Sequence, residues 1–166
     1  MDESTVRQMA AEWSQLLCKR GIPHVVFGSV AMLLHGCEPC RARFKDIDFL
    51  LPEDRAQEMR GILAEHGFSI GKNGNYERDG VTIGIATQRT HRGLPCPTDN
   101  SAGTKIAGVC VLTLDGLIDA KRLAVESQMK RIVRKGYRRR RGKSVVKQLR
   151  DLCALCCYRD KHNADP

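Results

Sequence analysis

The chain has 166 residues, 42% hydrophobic, 28% charged and 5% aromatic, with a formal net charge of +9. That length suits a single domain, the apolar content suffices for a core, and no apolar run approaches the ~18–20 residues that span a bilayer. Met1-Asp2-Glu3-Ser4 is acidic and polar, unlike a secretory signal, so a cytoplasmic protein with no membrane partner is expected.

In chain order, Ser4 is placed to cap a helix running to about Arg20. Val6, Met9, Ala10, Trp13, Leu16 and Leu17 recur at helical spacing as one buried stripe. Trp13 reads as core, and Gly21 stops the helix. His24–Phe27 is a first strand, Ser29–His35 a short helix, Cys37–Lys45 a loop and Ile47–Leu51 a second strand. Pro52 suits the first turn of a helix to His66, which Gly67 ends. Phe68–Ile70, Asn75–Arg78 and Val81–Ala86 are short strands, the last two joined by an Asp79-Gly80 hairpin turn. Gln88 to Thr104 is a long Pro-, Gly- and polar-rich loop, Lys105–Val111 another strand, and Thr113 caps a helix to about Gln128. Strands mixed with helices and hairpins give the fold class α+β with a mixed sheet. The whole of 1–166 is expected as one domain, with a basic mobile segment at 130–143 and a C-terminal helix at 144–159.

The chemistry concentrates between the first two strands. Gly28-Ser29 ends the first, and Asp46 and Asp48 open the second. On a strand, alternate side chains share a face, so these two carboxylates lie about 6–7 Å apart on one side. Ile47, Phe49, Leu50 and Leu51 make the strand apolar, and carboxylates there call for a partner. A hard cation such as Mg²⁺ held by Asp46 and Asp48 resolves their repulsion. A helix starting at Ser29 or Val30 turns free N–H groups outward, toward phosphate. A phosphate cradle beside metal carboxylates is equipment for phosphoryl or nucleotidyl transfer. Arg43, three residues before Asp46, is a candidate bidentate donor to a triphosphate.

The segment Phe27-Gly28-Ser29-Val30-Ala31-Met32-Leu33-Leu34-His35-Gly36, followed by Arg43-Phe44-Lys45-Asp46-Ile47-Asp48, resembles the DNA polymerase beta-like nucleotidyltransferase superfamily. It looks most like the small branch holding minimal nucleotidyltransferases and abortive-infection toxins. Gly108 to Lys121 resembles the family's later strand and its helix with a Leu-Ile-x-x-Lys step, with a weaker echo at Lys147–Leu155. The resemblance implies a nucleotidyltransferase-like mixed sheet flanked by helices. It implies a nucleoside triphosphate substrate, with Mg²⁺ on Asp46 and Asp48 as the catalytic pair. Gly28 and Ser29 would contact the β/γ-phosphates, and Lys121 would face the nucleotide. The acceptor would be an RNA or protein hydroxyl. Two departures stand out. The family places a third carboxylate on a later strand, whereas Val81–Ala86 has no acid and puts Thr82 or Gly84 in its place. Phe44 replaces a small hydroxyl residue, and the Gly28-to-Asp46 gap is a few residues long. A catalytically weakened or inactive relative is the alternative.

The charge is uneven. Lys130 to Lys143 holds nine Lys/Arg and no acid, so the remaining 19 basic residues balance the 19 acidic ones. Such a block repels itself and reads either as a solvated loop or as a contact to nucleic-acid phosphates through Arg138, Arg139, Arg140 and Arg141. Tyr137 is its sole aromatic residue, a poor basis for base stacking. Among the eight cysteines, Cys37/Cys40 and Cys153/Cys156 have metal-like spacing, but the second pair lies on an apolar helical stripe and reads more simply as core.

Overall fold

Asp2, rather than Ser4, caps the first helix. Its carboxylate accepts the Thr5 N–H at 2.8 Å, and α1 spans Glu3–Lys19. The computed structural model describes residues 1–37, 44, 46–71, 73–90, 94, 97, 103–135 and 139–163, the side chains of 135, 139–143 and 162–163 excepted. α1 buries Val6, Ala10, Trp13 and Leu17 on one stripe. Trp13 packs against the rings of His66 and Phe68 at 5.4 and 5.5 Å, in the core as expected.

β1 (Val25–Phe27) runs straight into α2 (Gly28–Leu34), and β2 (Asp46–Leu50) follows. Pro52 leads into a 3-10 turn at Glu53–Arg55 before α3 (Ala56–Glu65), so the helix signalled by proline begins a turn late. β3 (Ser69–Ile70), β4 (Tyr76–Arg78) and β5 (Val81–Ala86) form a meander. Asp79 and Gly80 join the last two, both at positive φ (51° and 77°), as a two-residue hairpin turn requires. The strand expected over 105–111 is a hairpin instead: β6 (Thr104–Ile106) and β7 (Val109–Val111) meet at Ala107-Gly108, with φ of 48° and 80°. Two helices complete the chain, α4 (Leu114–Lys135) and α5 (Arg139–Asn163).

Among the described residues the seven strands form one mixed sheet in the order β3-β4-β5-β2-β1-β7-β6. β1 is antiparallel to β2 and parallel to β7, while β2 is parallel to β5. The fold class is therefore α+β, as the sequence indicates. Because β1 and β7 are parallel, the helices that follow them, α2 and α4, start at the same edge of the sheet. His35 at the end of α2 donates Nε2–H to the Leu112 carbonyl at 2.9 Å, fastening the two together. The core of Ile22, Val26, Met32, Phe49, Leu63 and Leu112 lies between sheet and helices.

The basic segment, expected as mobile, is helical at both ends among the described residues. Residues 130–135 continue α4 and residues 139–143 open α5. Lys and Arg are good helix formers, and the two helices support one another. Asp115–Arg159 and Lys121–Asp151 contacts run between them in antiparallel order.

Candidate active site

Gly28 closes β1 in a conformation that suits glycine, with φ +75°. A Cβ there would sit 3.0 Å from Asp48 Oδ2, so the missing side chain also lets β2 approach. Phe27 pairs with Asp48 in the β1–β2 register, which brings the Gly28-Ser29 turn beside the Asp48 carboxylate. Asp46 and Asp48 alternate with buried Ile47 and Phe49 and are themselves half-buried. Gly28, Ser29, Asp46 and Asp48 all line one open cavity of about 930 Å³. The strand geometry that placed both acids on one face thus holds.

The opposite walls come from α4 and α5. Leu117, Ala120, Lys121, Ala124, Arg131 and Arg134 lie on the cavity side of α4 at helical spacing. Lys147 and Gln148 of α5 line it as well. Lys147 Nζ donates to Ser29 Oγ at 3.3 Å, carrying a cation to the Gly-Ser turn across 118 residues of sequence. Lys121, expected to face the nucleotide, lines the cavity with its ammonium held by Asp151 Oδ2 at 2.7 Å and Gln148 Oε1 at 3.2 Å. The Lys121 and Asp151 side chains are 7% and 0% exposed, so this is a buried ion pair, with Lys147 also 3.6 Å from Asp151. Burial explains the pairing, because an unpaired ammonium there would be costly. Lys147 is therefore a cation at the Gly28-Ser29 turn that spacing did not single out. The resemblance at Lys147–Leu155 was its one sequence signal.

Arg43 and Arg138 lie outside the described residues, as do the side chains of Arg139, Arg140 and Arg141. The cavity instead receives Lys130, Arg131 and Arg134 from the first part of the basic segment, with Arg89 from the turn after β5.

On β5, Gly84 pairs directly with Asp48 and Thr82 with Asp46. A Cβ on Gly84 would run into Asp48 Oδ1. The place on β5 beside the acids is thus filled by the Asp48 carboxylate itself, and Gly84 is the residue that makes room for it. The donor set is two oxygen-bearing carboxylates opening onto a basic cavity, a set that suits a hard divalent cation.

Away from this site, Cys18, His24 and Cys110 bring their ligand atoms within 4.8 Å of one another. His24 is nevertheless fully committed. Nδ1–H donates to the Ile22 carbonyl at 2.9 Å, and Nε2 accepts from Ser14 Oγ at 2.7 Å. Ser14 Oγ in turn accepts the Cys110 N–H at 3.2 Å. This is a satisfied core network holding α1 to β7, and burial pushes the His24 pKa down.

No protein-family model matches the chain, and no curated protein does. Solved structures do. The crystal structure of an antigenic nucleotidyltransferase-like protein from Paracoccidioides brasiliensis superposes with a TM-score of 0.60 at 18% identity, covering 93% of this chain and 77% of that one. The chain has the nucleotidyltransferase fold. The antibiotic-resistance factor ANT(2'')-Ia superposes in its solution structure with a TM-score of 0.51 at 16% identity, covering 99% of this chain and 96% of that one. Its crystal structure with adenylyl-2''-tobramycin gives 0.53 at 15% identity, covering 96% and 99%. The nucleotidyltransferase fold expected from Phe27–Gly36 and Arg43–Asp48 is thus present over nearly the whole chain, and Asp46 and Asp48 line a cavity in it.

Proposed function

We propose that the protein transfers a nucleoside monophosphate from a nucleoside triphosphate to a hydroxyl of an RNA or protein acceptor. The observation that carries this reading is the convergence of Gly28-Ser29, Asp46, Asp48 and Lys147 on one cavity of the nucleotidyltransferase fold. Asp46 and Asp48 would hold Mg²⁺, which when bound supplies charge neutralisation at the phosphate oxygens. Lys147, held by Asp151 and Ser29, orients and neutralises the β/γ-phosphates, with the Gly28-Ser29 turn beneath them. The acceptor oxygen bonds to the α-phosphorus, the bond from that phosphorus to the bridging β-phosphate oxygen breaks, and pyrophosphate leaves. The hydroxyl proton passes to water. Little covalent chemistry falls to the protein, so positioning and charge carry the rate.

A second reading is a non-catalytic nucleic-acid-binding protein acting through 130–143. Gly84 favours it, since β5 supplies no third acid. Incubation with α-labelled triphosphates and bulk RNA or protein separates the two. Label moves into an acid-insoluble product with wild type and not with Asp46→Asn/Asp48→Asn if transfer is the function. Label transferred equally by both proteins, or by neither, rules it out.

A further inference from the structure

The cavity changes character along α4. Nearest the start of the helix, which the parallel β1 and β7 place beside the Gly28-Ser29 turn, it is lined by Leu117, Ala120 and Ala124. Ser127 and Gln128 come next, and Gln128 Oε1 is buried with no donor among the described residues. Last come Lys130, Arg131 and Arg134. From Lys121 to Arg134 is about 20 Å of helix at 1.5 Å per residue. Lys130 to Arg134 therefore lie about 14–20 Å along α4 from Lys121.

These cations stand apart from the ion-paired ones on the surface. Arg7, Arg20, Arg55 and Arg122 each lie within 4 Å of a carboxylate. Lys130, Arg131, Arg134 and, from the β5 side, Arg89 line the cavity with no ion pair among the described residues. Glu126 is the acid that shares their part of α4. Such a site attracts a polyanion and repels a polycation.

We propose that the acceptor is the end of a nucleic-acid strand, whose phosphates lie on Lys130, Arg131 and Arg134 while its terminal hydroxyl points toward Asp46 and Asp48. This rests on the transfer reading above and names its substrate class. Lys130 to Arg134 spans about 6 Å of helix axis, enough to cover two successive phosphates, which stand one step of about 3.4 Å apart along a stacked strand. Gln128 Oε1, between the cations and the apolar end, is placed to accept from a sugar hydroxyl or a base N–H. The same charge disfavours an amine-rich acceptor, so likeness to the fold of ANT(2'')-Ia, solved with adenylyl-2''-tobramycin, does not carry over to that substrate.

The test uses the full chain and a short, fluorescently labelled oligoribonucleotide of mixed sequence, titrated across salt. Lys130→Gln/Arg131→Gln/Arg134→Gln alters exposed side chains and leaves the core intact. Loss of two phosphate contacts lowers the slope of log affinity against log salt by about 1.4, since each contact on a single strand contributes about 0.7. With that slope extrapolated from 1 M, affinity falls about 25-fold at 0.1 M salt. Binding of a non-hydrolysable triphosphate with Mg²⁺ to the wild type is measured in parallel. Intact nucleotide binding with an unchanged oligonucleotide slope in the variant overturns this inference alone. Absent nucleotide binding overturns the transfer reading and, with it, the acceptor role. Label transferred to tobramycin or to protein in preference to the oligoribonucleotide also overturns the assignment.

Discussion

Removing the charge of Asp151 should destabilise the fold through the helical wall of the site. Asp151 is 0% exposed and meets Lys121, itself 7% exposed at its side chain, at 2.7 Å. Lys147 approaches the same oxygen at 3.6 Å. Asp151→Asn keeps the shape and leaves the Lys121 ammonium buried without a counter-charge. Breaking a buried pair by removing one partner costs about 3–5 kcal/mol. In a domain of this size 1 kcal/mol moves Tm by roughly 2–4 °C, so Tm should fall by about 6–20 °C in a thermal melt followed by circular dichroism. Replacing both partners, as Lys121→Met/Asp151→Leu, should recover most of the loss, because the desolvation cost of the charges disappears with them. A loss below about 1 kcal/mol for Asp151→Asn would refute the reasoning, as would a double variant as unstable as the single one.

Gly84→Ala should displace the Asp48 carboxylate, since its Cβ would run into Oδ1, and lower metal-dependent nucleotide affinity at least tenfold, by about 1.4 kcal/mol; unchanged affinity by calorimetry would contradict the packing argument. His24 should make stability fall as pH drops below about 6.5. Its pKa is lowered in the fold by burial, so below that pH the unfolded chain takes up a proton that the folded one resists, while above it His24 contributes no slope. Urea titrations between about pH 5 and 7 should show a shallower fall for His24→Gln than for wild type, and parallel curves would count against it. Burial pushes the Cys37 thiol up to about 11, so near neutral pH it should alkylate far more slowly than the exposed Cys153 and Cys157. Peptide mapping after iodoacetamide treatment reads the order directly, and equal labelling would mean that Cys37 is not buried.

The site's first half was legible because its signals are local. Asp46 and Asp48 alternate with Ile47 and Phe49, and period-2 alternation fixes a face without any knowledge of the partner strands. Gly28 and the Asp79-Gly80 pair need positive φ, which glycine announces in sequence. The second half depends on contacts between distant residues. Lys121 finds Asp151 30 positions away, and Lys147 finds Ser29 118 away. No spacing rule distinguishes a buried, paired lysine from one that faces a ligand. The helical ends of the basic block went unread for a related reason. Its charge argues for a solvated connection, but Lys and Arg also sustain helices, and packing of α4 on α5 decided the outcome. Gly108 signalled a turn at 107–108, but Ala107, at φ 48°, is not a residue that advertises a left-handed conformation, and the pair read as strand.

Binding of the four nucleoside triphosphates, with and without Mg²⁺, to wild type and to Asp46→Asn/Asp48→Asn tests the central claim most directly. The account predicts Mg²⁺-dependent binding by wild type and its loss in a variant that melts at the same temperature. Binding that ignores both the metal and the two substitutions, or no binding by folded wild-type protein, would contradict it.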